Sequence, residues 1–166
     1  MKNPLSKAHQ KGERSRRDIA QIENKIPKKI TSQEFLNSIN TQTPSGLLRN
    51  LKSDFMFGIH TYDGNQPFII LKVSDFKNGF AGMLAWERTL FDDMYQIFNI
   101  SIQDENKNLF SRTFEDKVLE NKDARVLYDS SGTPALFYLF LDETTILIAK
   151  DRDAVREVMT RIKIAK

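Results

Sequence analysis

The chain has 166 residues, 40% hydrophobic and 28% charged, a balance that fits one domain of about 100–150 residues plus an appendage. It contains no cysteine, which excludes a disulfide framework, a thiolate zinc site, an iron–sulfur cluster and a cysteine nucleophile. The net charge of +3 is uneven: residues 1–29 hold nine Lys or Arg against three acids, a local +6, and the rest holds sixteen against nineteen, a local −3.

Residues 1–30 read as a basic tail or linker, and residues 31–166 as a single domain. Ile19, Ile22 and Ile26 fall at helical intervals before Pro27, but so little apolar area does not offset the entropy of ordering the segment. Lys11, Arg14, Arg16 and Arg17 are the candidate phosphate contacts, toward a nucleic-acid backbone or anionic lipid. The tail carries no aromatic residue, so base stacking is not supported. No run reaches the ~18 apolar residues of a membrane span, and no apolar stretch of signal-peptide type follows the basic N-terminus. Taken alone, the chain is expected to be soluble and cytoplasmic.

From Thr31 the pattern becomes that of a folded domain. Thr31 or Ser32 is placed to cap a short helix with Phe35, Leu36 and Ile39 inward, and Thr43-Pro44-Ser45 opens a second with Leu47, Leu48 and Leu51. Phe55, Phe57, Ile59 and Thr61 then alternate with Met56, Gly58, His60 and Tyr62. After the hairpin-type turn Asp63-Gly64-Asn65, residues 68–73 form a second strand. Both faces of this pair are apolar, which predicts a place in the middle of the sheet. Ser74-Asp75 caps one long helix of about six turns, whose stripe of Phe76, Phe80, Met83, Leu84, Leu90, Phe91, Met94, Ile97 and Phe98 is expected to face the core, with Trp86 at its edge. Residues 101–109 read as a polar mobile loop. Four strand-like runs follow, at 110–119, 124–128, 135–141 and 144–149, joined by linkers too short for parallel crossovers. Asp151 caps a last helix with Val155, Val158, Met159 and Ile162 on one side.

This order predicts an α+β fold: an antiparallel sheet of five to six strands with helices packed on one face. Residues 55–98 and 124–163 both read as hairpin then helix, an echo of a ββα repeat without sequence identity behind it.

Two stretches carry a resemblance. They are Phe55 to Glu87, through Phe-Met-Phe-Gly-Ile-His-Thr-Tyr-Asp-Gly-Asn and Gly-Phe-Ala-Gly-Met-Leu-Ala-Trp-Glu, and Glu120-Asn121-Lys122-Asp123-Ala124-Arg125-Val126-Leu127. Over residues 32–163 the chain resembles an uncharacterised family of proteins from candidate-phylum bacteria (Patescibacteria). The resemblance implies an extracytoplasmic domain behind a single membrane helix, and it implies no catalytic residue. The chain departs from that pattern in that no span precedes Thr31.

The residues specify no reaction. His60 has Tyr62 and Asp63 nearby, but three or four convergent ligands make a metal site, and a strand histidine on a less apolar face accounts for it. Gly79-Phe80-Ala81-Gly82 lacks the spacing of a phosphate-binding loop. Two helix glycines cost about 1 kcal/mol each relative to Ala, which close packing against a neighbour would offset. The adjacent acids Asp92-Asp93, Asp104-Glu105, Glu115-Asp116 and Asp142-Glu143 point apart on helix or strand and read as solvated. The expectation is a non-catalytic interaction or assembly domain without metal, cofactor or small-molecule substrate. Its partner is another protein or a second copy, and the alternative is phosphate-backbone binding through the tail.

Overall fold

The computed structural model describes residues 29–61 and 64–164, and the unit set out below begins at Thr31. It opens with a reciprocal capping box: the Glu34 N–H donates to the Thr31 hydroxyl (3.1 Å) and the Thr31 N–H to the Glu34 carboxylate (2.8 Å), satisfying two otherwise orphaned donors. Helix α1 is Ser32–Ser38 and α2 is Ser45–Asn50. The buried Asn50 then works as a clasp. Its side-chain amide donates to the Asp75 carbonyl (2.8 Å) and accepts from the Asp75 N–H (3.2 Å), and its carbonyl accepts from Ser74 (2.8 Å).

Strand β1 runs Leu51–His60 and β2 Gln66–Val73. Helix α3 is Phe76–Met94, a 3-10 helix follows at Asp104–Ser111, and then come β3 (Glu115–Leu119), β4 (Lys122–Tyr128), β5 (Pro134–Asp142), β6 (Thr145–Ala149) and helix α4 (Arg152–Ile164). The six strands form one sheet in the order β1-β2-β6-β5-β4-β3, every neighbour antiparallel. The fold is α+β, as the element order predicts.

The helices divide between both faces of the sheet, where the periodicity alone placed them on one. Ile69, Leu71, Ile146 and Ile148 pack under α1, α2 and α3 with Leu36, Leu47, Trp86 and Leu90. Their neighbours Ile70, Leu147 and Ala149 face the opposite way, toward Val155 and Val158 of α4. Strands apolar at every position need cover on both sides, and fully burying each such side chain contributes about 1.5–3 kcal/mol. The two hairpin-helix units therefore put their helices on opposite faces. A two-fold axis through the sheet cannot superpose them.

Three further expectations are corrected. β1 stands at the sheet edge, not in its middle; β2 is the inner strand of that hairpin. On α3, Phe76, Phe80 and Leu84 are exposed, whereas Gly79, Gly82, Met83, Trp86, Leu90, Phe91 and Met94 are buried. The helix is rotated so that its glycines face inward. A Cβ on Gly82 would lie 2.8 Å from the Leu47 Cβ, and one on Gly79 3.1 Å from a Val73 methyl. This is the close packing the glycines suggest, and it turns the two phenylalanines outward. Finally, residues 104–111, divided in the sequence reading between loop and strand, form the 3-10 helix. Its start is tied by reciprocal bonds between Gln103 and Asn106, and Leu109 sits in the core.

Candidate interaction surfaces

A groove of about 740 Å³ lies beside α3 over strands β3 to β5. Its wall is the outward stripe of α3: Phe76 and Phe80 stack on each other (5.9 Å between ring centres) and both contact Phe140 of β5 (4.9 and 6.0 Å). The floor is the α3-facing side of three strands, where the register sets Asp116 across from Arg125 and Arg125 across from Tyr138. Its rim carries charges of both signs, among them Asp123, Lys122 and Glu143.

One polar cluster closes the inner end of this floor. Arg125 donates two parallel bonds to Glu87 of α3 (Nε and Nη2, both 2.7 Å), a third to the Phe114 carbonyl (2.9 Å) and a fourth to Asp116 (2.9 Å). The Tyr138 hydroxyl donates to Glu87 as well (2.6 Å). Hydrogen bonding to Glu87 holds Arg125 above its ordinary value. Burial, reinforced by Glu87, pushes the Tyr138 hydroxyl far above the usual phenol range. Both groups therefore keep their protons at neutral pH and act as fixed donors. The cluster ties the middle of α3 to β4 and β5, and its donors are committed to protein acceptors.

A second polar tie secures the other side of α3. Asp93 accepts from the Trp86 indole (2.6 Å), the Thr89 hydroxyl (3.3 Å) and the Gln42 N–H (3.0 Å). The adjacent acids thus do not share one fate: Asp92 is exposed and Asp93 is an anchor. Asp142 is likewise engaged. Burial alone would raise its carboxyl, but bonds from the Thr144 N–H and from the Thr145 and Thr144 hydroxyls, with Lys72 nearby, hold it below the ordinary range.

The second surface is the outer edge of β1. From Phe55 to His60 the strand pairs regularly with β2; before that, residues between Leu51 and Phe55 bulge. Met56, Phe57 and Ile59 are exposed along it. Phe35 of α1 stacks on Phe55 (4.6 Å) and reaches Phe57 (6.2 Å). On the α4 side the Phe68 ring covers Gly58, where a Cβ would meet it at 2.3 Å. His60 lies on the same side of the sheet, its Nδ1 3.8 Å from Asp151, the residue that caps α4 by accepting from the Ala154 N–H (3.0 Å).

Tyr62 and Asp63, weighed with His60 as a cation pair or catalytic group, lie outside the described residues, as do the basic residues Lys11, Arg14, Arg16 and Arg17. Among the described residues, no cluster of three or more His, Asp or Glu is placed to hold a metal ion. Among them too, no helix is long and apolar enough to cross a membrane. The groove and the Glu87–Arg125–Tyr138 tie escape sequence reading because each joins residues 38 or more positions apart on separate elements. The available signal was the α3 stripe, too wide for a single buried face. Compared with family models, with characterised proteins and with solved structures, the chain matches none of them.

Proposed function

We propose that the chain is a non-catalytic interaction and assembly domain, working through apolar side chains that neither of its two cores takes up. The observation that carries this reading is where those side chains sit. Phe57 and Ile59 line one strand edge and Phe76 and Phe80 line one wall of a groove, and contiguous exposed apolar groups of this kind are characteristic of protein contacts. The commitment of Arg125 and Tyr138 to Glu87 supports a holding role for this polar cluster on the groove floor. The resemblance over residues 32–163 extends the proposal to an assembly at a membrane or cell surface.

Sedimentation equilibrium of the full chain tests it. Assembly gives a mass above the 19.2 kDa of one chain, returned to that of a monomer by Phe57→Lys or Phe80→Lys. A wild-type chain that stays monomeric at every accessible concentration ends the self-assembly reading.

A second reading rests on the local charge of +6 in residues 1–29: phosphate-backbone or anionic-lipid binding. Replacing Lys11, Arg14, Arg16 and Arg17 together by Gln should abolish any salt-sensitive binding to oligonucleotides or anionic vesicles. Binding that survives those changes, or that is absent at low salt, disposes of it.

A further inference from the structure

We infer that the β1 edge pairs with the β1 edge of a second copy of this chain, in antiparallel register about Phe57, so that the two six-stranded sheets continue into one. The inference rests on the assembly reading above and names the contact that makes it.

A strand at a sheet edge presents unpaired backbone donors and acceptors, and proteins ordinarily blunt it with short length, charge, proline or a bulge. β3, at the far edge, is blunted: it has five residues and begins Glu115-Asp116-Lys117. β1 has ten residues. Its bulge is confined to the stretch between Leu51 and Phe55, and from Phe55 to Ile59 the sequence Phe-Met-Phe-Gly-Ile contains no charge and no proline. Along this stretch Met56 is 54% exposed, Phe57 44% and Ile59 52%. No strand neighbours it on the outer side among the described residues.

The occupant follows from the order of residues along the strand. A two-fold axis perpendicular to the sheet keeps each side chain on its own face, so it must pass through a residue, and opposing positions have equal parity. Centred on Phe57, the register sets Phe55 across from Ile59 and Phe57 across from its own copy. On the α1 side this makes a continuous apolar row, to which the Phe35 ring stacked on Phe55 adds from each copy. The same register sets Met56 across from Gly58, over which the Phe68 ring of its own sheet lies as an apolar surface. Shifting the axis to Gly58 puts Met56 against His60, the residue that faces Asp151, and shifting it to Met56 draws the bulged residues before Phe55 into the pairing. The Phe57 register keeps the pairing within the regular stretch from Phe55 to Ile59 and sets apolar residues across from one another throughout it. Cross-strand pairs of this kind each contribute about 0.2–1 kcal/mol beyond the backbone bonds.

The chain's lack of cysteine allows a direct test in full-length protein. Directly opposed strand positions have Cβ atoms about 4.5–5.5 Å apart, so Phe57→Cys should oxidise to a disulfide-linked dimer. Ile59→Cys, which faces Phe55 in this register, should not, and neither should Val118→Cys on the β3 edge, the most exposed apolar position. In parallel, sedimentation should show the wild type above 19.2 kDa and Phe57→Lys as a monomer with unchanged thermal melting. Met56→Lys provides a second charged edge should the first fail to fold. Association that persists in both lysine variants, or linking of Phe57→Cys no faster than of Val118→Cys, overturns edge pairing and leaves assembly by another surface standing. Linking of Ile59→Cys as readily as of Phe57→Cys overturns the register. A wild-type chain that is monomeric throughout overturns both the pairing and the self-assembly reading.

Discussion

The two ends of the sheet solve the same problem in opposite ways. β3 is short, charged and pinned: Asp116 and the Phe114 carbonyl both take bonds from Arg125, which Glu87 holds in place, and Lys117 lies over the Tyr128 ring. β1 is twice as long, carries its charge only in the bulged stretch, and leaves three large apolar side chains in water. The first half of α3 is held by shape, through glycines set against Leu47 of α2 and Val73 of β2. Its other half is held by charge, through Glu87. An edge that must stay single receives polar fixings, and an edge left apolar is suited to a partner.

That contrast can be broken or sharpened by substitution. The largest effect should be in the state of assembly: in a Phe57→Lys background, Glu115→Val with Lys117→Val removes two of the three charges of β3 and leaves Asp116, which Arg125 binds. Light scattering should then detect association at the edge that is silent in the wild type. Arg125→Ala should cost about 3 kcal/mol in urea denaturation, the low end for breaking a buried pair, because Glu87 loses both bonds from the guanidinium and keeps only that from Tyr138. Hydrogen exchange should locate the loss first in β3. Gly82→Ala should cost about 1 kcal/mol net by the same measurement, since overpacking against Leu47 (about 1–3 kcal/mol) outweighs the helix propensity gained.

Acid should act through Asp142. Its folded-state carboxyl sits below the ordinary value, so its contribution is full above the usual carboxylate range and is lost as pH falls through the lowered value. Asp142→Asn should therefore flatten the acid limb of a stability–pH profile and leave its slope near neutrality unchanged. The smallest effect is expected at the β3–β4 turn. Glu120 and Asn121 both have positive φ, 50° and 60°, the backbone of a type I′ hairpin turn that favours Asn-Gly. Asn121→Gly should raise the melting temperature slightly, for a gain of a few tenths of a kcal/mol.

Much of this was legible before any coordinates. Asp151 caps its helix as the sequence reading placed it, and of the pairs Thr31 or Ser32 and Ser74-Asp75 the structure takes Thr31 and Asp75; the turn residues between 119 and 145 set out the meander. The pair Gly79 and Gly82 pointed to close packing. What misled was the assumption that the longest apolar stripe on α3 must be the buried one. Phe76 and Phe80 match helical spacing as well as Met83 and Leu90 do, and periodicity cannot tell an inward stripe from an adjacent one. The near-continuous apolar runs of β5 and β6 were a signal for cover on both faces.

By itself, then, the sequence determined the helices and strands apart from the 3-10 segment, the antiparallel pairing of successive strands and the chemistry that cysteine's absence excludes, because caps, turns and side-chain period are local properties. The rotation of α3, the choice of β1 as an open edge, and the meeting of Glu87 with Arg125 and Tyr138 were decided only by the tertiary structure. Each depends on how closely two distant backbones approach, and that distance is set by which side chains are missing, as at Gly82, as much as by those present.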